Sequence, residues 1–259
     1  MKKYQKYQIA IFVLLALAVL EAAIIFSLSR KKAPVLPLVA IKGKIAIVID
    51  DWGYNLNNLP ILDQIKYPLT MSVLPDLAYS SAVAREFNKR GYEIILHLPL
   101  EPHEKSHLER DTIMISMSEE AIKNIMDKDL TAVSHVRGVS NHMGSRATED
   151  LRTMAVIFKE LKSRRLYFLD SFVSSGSVSR SLSGKMDLKF AKRDIFLDNQ
   201  EDPEYIRGQL YKLKVKAAVY GQAIGIGHDR KKTLVVLRDV MPGLEKEGYR
   251  FVFVSELVK

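Results

Sequence analysis

Eight short apolar runs recur along the chain, and six of them stop at a polar side chain of a kind that does chemistry. They run from Lys44 to Asp50, Leu69 to Leu74, Tyr92 to His97, weakly over 136–140, Leu166 to Asp170, Asp194 to Asp198, Ala223 to Gly227 and Arg250 to Val254. Their apolar character is continuous rather than alternating, which fits strands buried on both faces, as in parallel sheets. Helical patterning fills the intervals at about 78–90, 118–130, 148–164, 202–219 and 232–247. The fourth of these opens after Asp202-Pro203, where proline suits a first helical position. Alternating strand and helix predicts an α/β fold, and about eight units predict a distorted (β/α) barrel of about seven or eight parallel strands. A doubly wound open sheet is the alternative that the same alternation permits. With 259 residues, 47% of them hydrophobic, the chain can bury one core of catalytic size.

The formal net charge of +9 invites a nucleic-acid reading, but its distribution argues against one. Residues 1–43 carry seven Lys/Arg against Glu21 alone, a balance of +6, and the remaining 216 residues carry only +3. A body that close to neutral lacks the electrostatic footprint of a nucleic-acid binder. The basic residues flank an apolar stretch instead. Residues 9–28, interrupted only by Glu21, are long enough at ~1.5 Å per residue to cross a ~30 Å hydrocarbon core, and they predict one N-terminal transmembrane helix. A cleaved signal peptide is the competing reading, disfavoured by the length of the stretch and the lack of a prompt small-x-small site. Basic residues on both flanks leave the orientation open. The predicted organisation is a short basic tail (1–8), an anchor (9–28), a Pro-bearing linker (29–43) and a barrel domain (44–259). The serine-rich stretch from 171 reads as a mobile rim loop.

Polar residues gather where the runs stop, which in a parallel α/β fold is the carboxyl edge where active sites are built. Asp50 and Asp51 end the first run, His97 the third, Asn141 and His142 the fourth, Asp170 the fifth, Asp198 the sixth and His228 the seventh. The chain has no cysteine, so a metal would have to be held by His, Asp or Glu. Strand alternation would point the adjacent Asp50 and Asp51 to opposite sides, one toward a metal and one toward substrate water. The bland readings are a solvated turn for the aspartates and a hydrogen-bonded core residue for His97. His142 lies in a turn-like Asn141-His142-Met143-Gly144-Ser145, where backbone can approach a ligand closely. His103, His107 and His135 lie in polar stretches and read as surface residues.

Ile49-Asp50-Asp51-Trp52-Gly53, His97-Leu98-Pro99-Leu100-Glu101-Pro102, residues 138–145, Phe168-Leu169-Asp170-Ser171, residues 193–199 and Gly225-Ile226-Gly227-His228 together resemble the ordered motifs of the divergent polysaccharide deacetylases. The resemblance covers about residues 44–257. It implies a distorted barrel binding Zn²⁺ or another divalent metal, with Asp50 as base, Asp51 and His97 as metal ligands, His228 as general acid, and Arg193 and Asp170 as orienting residues. A purely structural ion pair is the alternative for those last two. Where the wider superfamily places its second metal histidine, this chain has Glu101. His142 is taken as the third ligand in its place, with Glu101 as runner-up or a supporting group. The implied chemistry is metal-assisted hydrolysis of an N-acetyl group on an envelope polysaccharide. Trp52 is a candidate sugar-stacking surface, with a packed core residue as the alternative. The resemblance and the anchor together place the domain outside the cytoplasm, periplasmic or cell-surface, on the cytoplasmic membrane.

Two other function classes share these residues. A non-catalytic envelope protein that binds glycan or a partner would explain the altered Glu101 position, and a metal phosphoesterase would also use Asp and His.

Overall fold

Helix α1 runs from Lys2 to Ser29, and its Tyr4–Ser27 portion is long and apolar enough to cross a membrane. The computed structural model describes residues 2–29, 41–104 and 107–259. The predicted linker therefore lies mostly outside the described residues. The chain divides into two units, Met1–Ala40 and Ile41–Lys259, and the second carries the sheet.

That sheet has nine strands among the described residues: β1 Gly43–Trp52, β2 Thr70–Val73, β3 Glu93–Leu100, β4 Val136–Met143, β5 Tyr167–Asp170, β6 Phe190–Lys192, β7 Ile195–Phe196, β8 Gln222–His228 and β9 Tyr249–Val252. The order is β6-β5-β4-β3-β2-β1-β8-β7, with β9 also on β1, and every pairing is parallel. The two ends of this path, β6 and β7, are separated in sequence only by Arg193 and Asp194. Arg193 N donates to the Asp170 carbonyl on one side, and Asp194 N to the Ile224 carbonyl on the other. The sheet therefore curls until its two edges are one stretch of chain, which is the distorted barrel that the run pattern predicts. The open doubly wound alternative does not occur.

Among the described residues there are eight α-helices: α1 and, in the body, α2 Leu59–Leu62, α3 Ser80–Lys89, α4 Glu119–Ala132, α5 Leu151–Ser163, α6 Ser179–Met186, α7 Pro203–Tyr220 and α8 Lys231–Lys246. Three of the predicted helices start on side-chain caps: Ser118 accepts from Ala121 N, Asp150 from Thr153 N, and Asp202 from Tyr205 N just ahead of Pro203. Such caps are typically worth ~1 kcal/mol. The continuous runs do fill the interior: Ile45, Ile47 and Ile49 lie on one face of β1 and Ala46 and Val48 on the other, and all are fully buried.

The serine-rich stretch is a loop only over residues 171–178. Ser179–Met186 is helix α6, with Leu182 and Ser183 buried. The preceding serines are tied down: Ser174 Oγ donates to Glu149, and Ser177 Oγ to Asp170 Oδ2 at 2.7 Å. Hydroxyls that compete with the backbone lower helix propensity, which hides a short helix of this kind in a sequence.

Candidate metal centre

The end of β1 is irregular in a way that places two carboxylates at one point. The register on β2 slips between Ile49 and Trp52, inserting one extra residue, and Asp51 adopts φ +66°. A bulge with a left-handed residue re-aims a side chain that strand alternation would send elsewhere. The expectation that Asp50 and Asp51 face opposite sides is therefore corrected. His97 Nε2 lies 3.6 Å from Asp50 Oδ2 and 3.3 Å from Asp51 Oδ1.

His142 Nδ1 approaches the same Asp51 Oδ1 to 3.2 Å, and one donor atom each from Asp51, His97 and His142 lie within 4.8 Å of one another. Met143 (φ +52°) and Gly144 (φ +87°) turn the chain sharply after His142 and end β4 there. The two imidazoles meet edge to face at 4.9 Å between centroids. His97 is held from behind: its Nδ1 bonds Ser140 Oγ at 2.8 Å, and that hydroxyl bonds Ser72 Oγ at 2.8 Å. With Nδ1 so engaged, Nε2 is the atom offered to the centre, an arrangement common behind metal-binding histidines.

Although both ring nitrogens lie near it, Asp51 Oδ1 is buried with no hydrogen-bond partner, and so is Asp50 Oδ1. Orphaned carboxylate oxygens beside two imidazoles are costly unless something positive completes the set, so these residues fit a divalent cation. Burial pushes the Asp50 carboxyl up. For Asp51 burial acts in the same direction, but the neighbouring His142 and His97 nitrogens overcome it and hold the carboxyl well below the usual range.

Glu101 is committed elsewhere. Its Oε1 accepts from Arg146 Nη1 at 2.8 Å and its Oε2 from Ile115 N at 2.6 Å, pinning the loop after β3, and it is not among the converging donors.

Across the same edge, His228 Nδ1 bonds Asp198 Oδ1 at 2.7 Å, while Asp198 Oδ2 accepts from His228 N at 2.9 Å and from Thr233 Oγ1 at 2.6 Å. A side chain at Gly227 would collide with Thr233 Cγ2, so the glycine is what admits that hydroxyl. Burial works to lower the His228 pKa, and the Asp198 carboxylate outweighs it, so the net direction is up. His228 stacks on Phe196 (5.9 Å, 18°), whose ring lies 3.6 Å under the Arg193 guanidinium.

Arg193 and Asp170 do not form the side-chain ion pair offered as an alternative for them. Arg193 Nε and Nη2 donate to the carbonyls of Ser171 (2.6 Å) and Phe172 (2.8 Å). Asp170 instead accepts from Phe172 N and Ser177 Oγ, both at 2.7 Å. Together they brace the turn after β5. Trp52 is not at the surface. It is fully buried edge-on to Phe87 at 4.8 Å, which removes it as a stacking platform for sugar. His103, His107 and His135 stand outside the cluster. The partners that sequence reasoning missed are Ser140 and the orienting role of Asp198. Ser140 faces His97 in the β3–β4 register, and Asp198 ends the sixth run.

A hollow of about 310 Å³ lined by Pro102, Glu104, Met143, Ser145 and Val173 adjoins the strand end that carries His142. A larger one of about 700 Å³ opens at the opposite, amino edge of the sheet, among Glu93, His135 and Phe253. There the Glu93 carboxylate is already taken by Thr70, Tyr167 and Ser255, so that hollow lacks a comparable convergent set.

A curled parallel sheet with Asp, His and Arg side chains gathered at its carboxyl edge is the architecture of the polysaccharide deacetylase fold. The sequence profile of the divergent polysaccharide deacetylases matches residues 47–258, and the chain belongs to that family. It is 33% identical over 202 residues to the uncharacterized protein YibQ of Escherichia coli K12, a match spanning 78% of this chain and 63% of that one, less than two thirds of the relative's length. Its fold is similar to that of the uncharacterized protein ATU2773 of Agrobacterium tumefaciens C58 (TM-score 0.81, 21% identity, 87% and 92% of the two chains). It is also similar to the catalytic domain of the peptidoglycan N-acetylglucosamine deacetylase of Eubacterium rectale (TM-score 0.55, 16% identity, 87% and 93%).

Proposed function

We propose that this chain is a membrane-anchored, extracytoplasmic hydrolase that removes acetyl groups from an N-acetylated envelope polysaccharide. The observation that carries the reading is the convergence of the His97 and His142 ring nitrogens on the buried Asp51 Oδ1, which accepts no hydrogen bond. Asp50 and the Asp198-held His228 stand beside it at the same sheet edge. A divalent ion such as Zn²⁺ bound by those three side chains would supply Lewis acidity at the acetyl carbonyl oxygen and lower the pKa of a water.

The chain's own residues then divide the work. Asp50, buried at the end of β1, takes the proton of the attacking water. His228 gives a proton to the departing sugar nitrogen, as general acids do when a neighbour holds the charged form. Arg193 and Asp170 act at one remove: the Arg193–Phe196–His228 stack and the braced 170–177 turn fix the plane of the imidazole. The open hollow beside His142 leaves room for a polymer to lie across the edge, and α1 keeps the body at the membrane.

Acetate release from cell-wall fragments by the Zn²⁺-loaded full chain, compared with the same chain after chelation, tests the reading. Metal-dependent release is expected. Glycan binding with no acetate released would favour the binding-protein reading, and turnover of phosphoesters without deacetylation would favour a phosphoesterase.

A second outcome concerns pH. Because the Asp198 carboxylate raises the His228 pKa against burial, Asp198→Asn removes that support and the pKa falls. The protonated acid is then lost at lower pH, so the alkaline limb of the kcat profile is expected to move to lower pH. An unmoved limb would mean that His228 is not the group titrating there.

A further inference from the structure

Helix α7 is apolar on two sides. Its inward face buries Ile206, Leu210, Leu213 and Ala217 against the sheet. A surface helix ordinarily turns charge outward, as α5 does with Arg152 and Lys159 and α8 with Lys232 and Glu245. On α7 the outward line is Tyr211, Val215 and Val219, spaced i, i+4, i+8 and 61%, 44% and 67% exposed; Tyr220, 73% exposed, is the last residue of the helix and stands about half a turn round from Tyr211.

The stripe ends where the N-terminal segment joins the body. Lys44 N donates to the carbonyl of Gly221, the residue after Tyr220, at 2.9 Å. A side chain at Gly43 would strike the Ala217 carbonyl. From Ser29, the last residue of α1, to Ile41 the chain can reach at most ~40 Å. An anchored α1 therefore holds this end of α7 at a high effective concentration of lipid.

We propose that the outward face of α7 docks on the phospholipid surface of the membrane in which α1 is anchored. The proposal rests on the anchor, not on catalysis. Tyr211 on the stripe and Tyr220 at the adjoining helix end suit the interfacial zone, where an apolar ring and a wet hydroxyl are both satisfied. Exposed Lys212 lies beside the stripe and complements anionic headgroups, while Arg207 on the same face is paired with Glu204 at 3.4 Å. A second copy of the chain is a poorer fit, because four side chains on one helix fall short of the ~800 Å² per partner of a standard interface. Docking along α7 and the start of β1 leaves the carboxyl edge, with Asp51, His97 and His142, clear of the contact.

The absence of cysteine makes single-site labelling clean. The full chain carrying Val219→Cys, labelled with bimane and placed in phosphatidylcholine–phosphatidylglycerol vesicles, is expected to be quenched by spin-labelled lipid. Asp187→Cys, at a side chain 99% exposed, is expected not to be. Adding Tyr211→Ser, Val215→Ser and Tyr220→Ser should abolish quenching at position 219 while the chain still floats with the vesicles. Quenching at 219 no greater than at 187 overturns the proposal. So does lipid-independent disulfide dimerisation of the Val219→Cys chain in detergent, which would assign the face to a second copy. A chain that does not float at all removes the anchor, and the proposal with it.

Discussion

Equilibrium dialysis against Zn²⁺ is expected to find Asp51→Ala, His97→Ala and His142→Ala stripped of most of their metal affinity, and Asp50→Asn and His228→Ala still loaded. Removing one of three protein donors leaves too few to replace the waters of the ion. Removing Asp50 or His228 leaves the donor set whole but takes away a proton-transfer group, and such groups supply ~10²–10⁴-fold of rate. Those two variants should therefore bind metal and lose deacetylation by about that factor. Glu101→Gln completes the series. Because both Glu101 oxygens already accept from Arg146 and Ile115 N, it should keep its metal and show only the softening of the loop after β3. If Glu101→Gln empties the site while His142→Ala stays loaded, the third ligand has been misassigned. If no variant, nor the parent, takes up metal or releases acetate, the binding-protein reading becomes the better one.

The gathering of these side chains at one sheet edge is partly legible in the sequence. Apolar runs that stop at Asp50, His97, Asp170, Asp198 and His228 mark the carboxyl edge of a parallel sheet, because burial on both faces writes itself into composition and the edge collects what the interior excludes. What stayed hidden depends on backbone rather than on residue type. The bulge at Asp51 breaks the period of two from which the two carboxylates were assigned opposite sides, and nothing in Ile49-Asp50-Asp51-Trp52 announces a φ of +66°. Ser140 becomes a partner of His97 only once β3 is known to lie beside β4. The Arg193 partners are carbonyl oxygens, which no side-chain pattern can display. Strand β6 is three residues long, too short for periodicity to register, yet with β7 it closes the sheet.

Trp52 shows how a site-adjacent residue can be read two ways from sequence and only one way from packing, and its removal should be among the most damaging single changes. It follows Asp51 directly, a position from which an aromatic could pave a sugar groove, but it is fully buried against Phe87 and its own indole Nε1 has no hydrogen-bond partner. Trp52→Ala leaves a large cavity in a core that cannot fully collapse, and is expected to cost ~3–5 kcal/mol. Trp52→Phe keeps most of the ring contact and removes the unpartnered N–H, whose burial is itself unfavourable, so it should cost much less. Trp52 is the sole tryptophan, so denaturant midpoints of the full chain in micelles should be followed by circular dichroism rather than fluorescence. A sugar-stacking platform would behave in the opposite way: Trp52→Ala would shift stability by no more than ~0.5 kcal/mol, as surface substitutions do, and would raise KM for the glycan. A stable Trp52→Ala with a raised KM would therefore restore the stacking role that the packing denies.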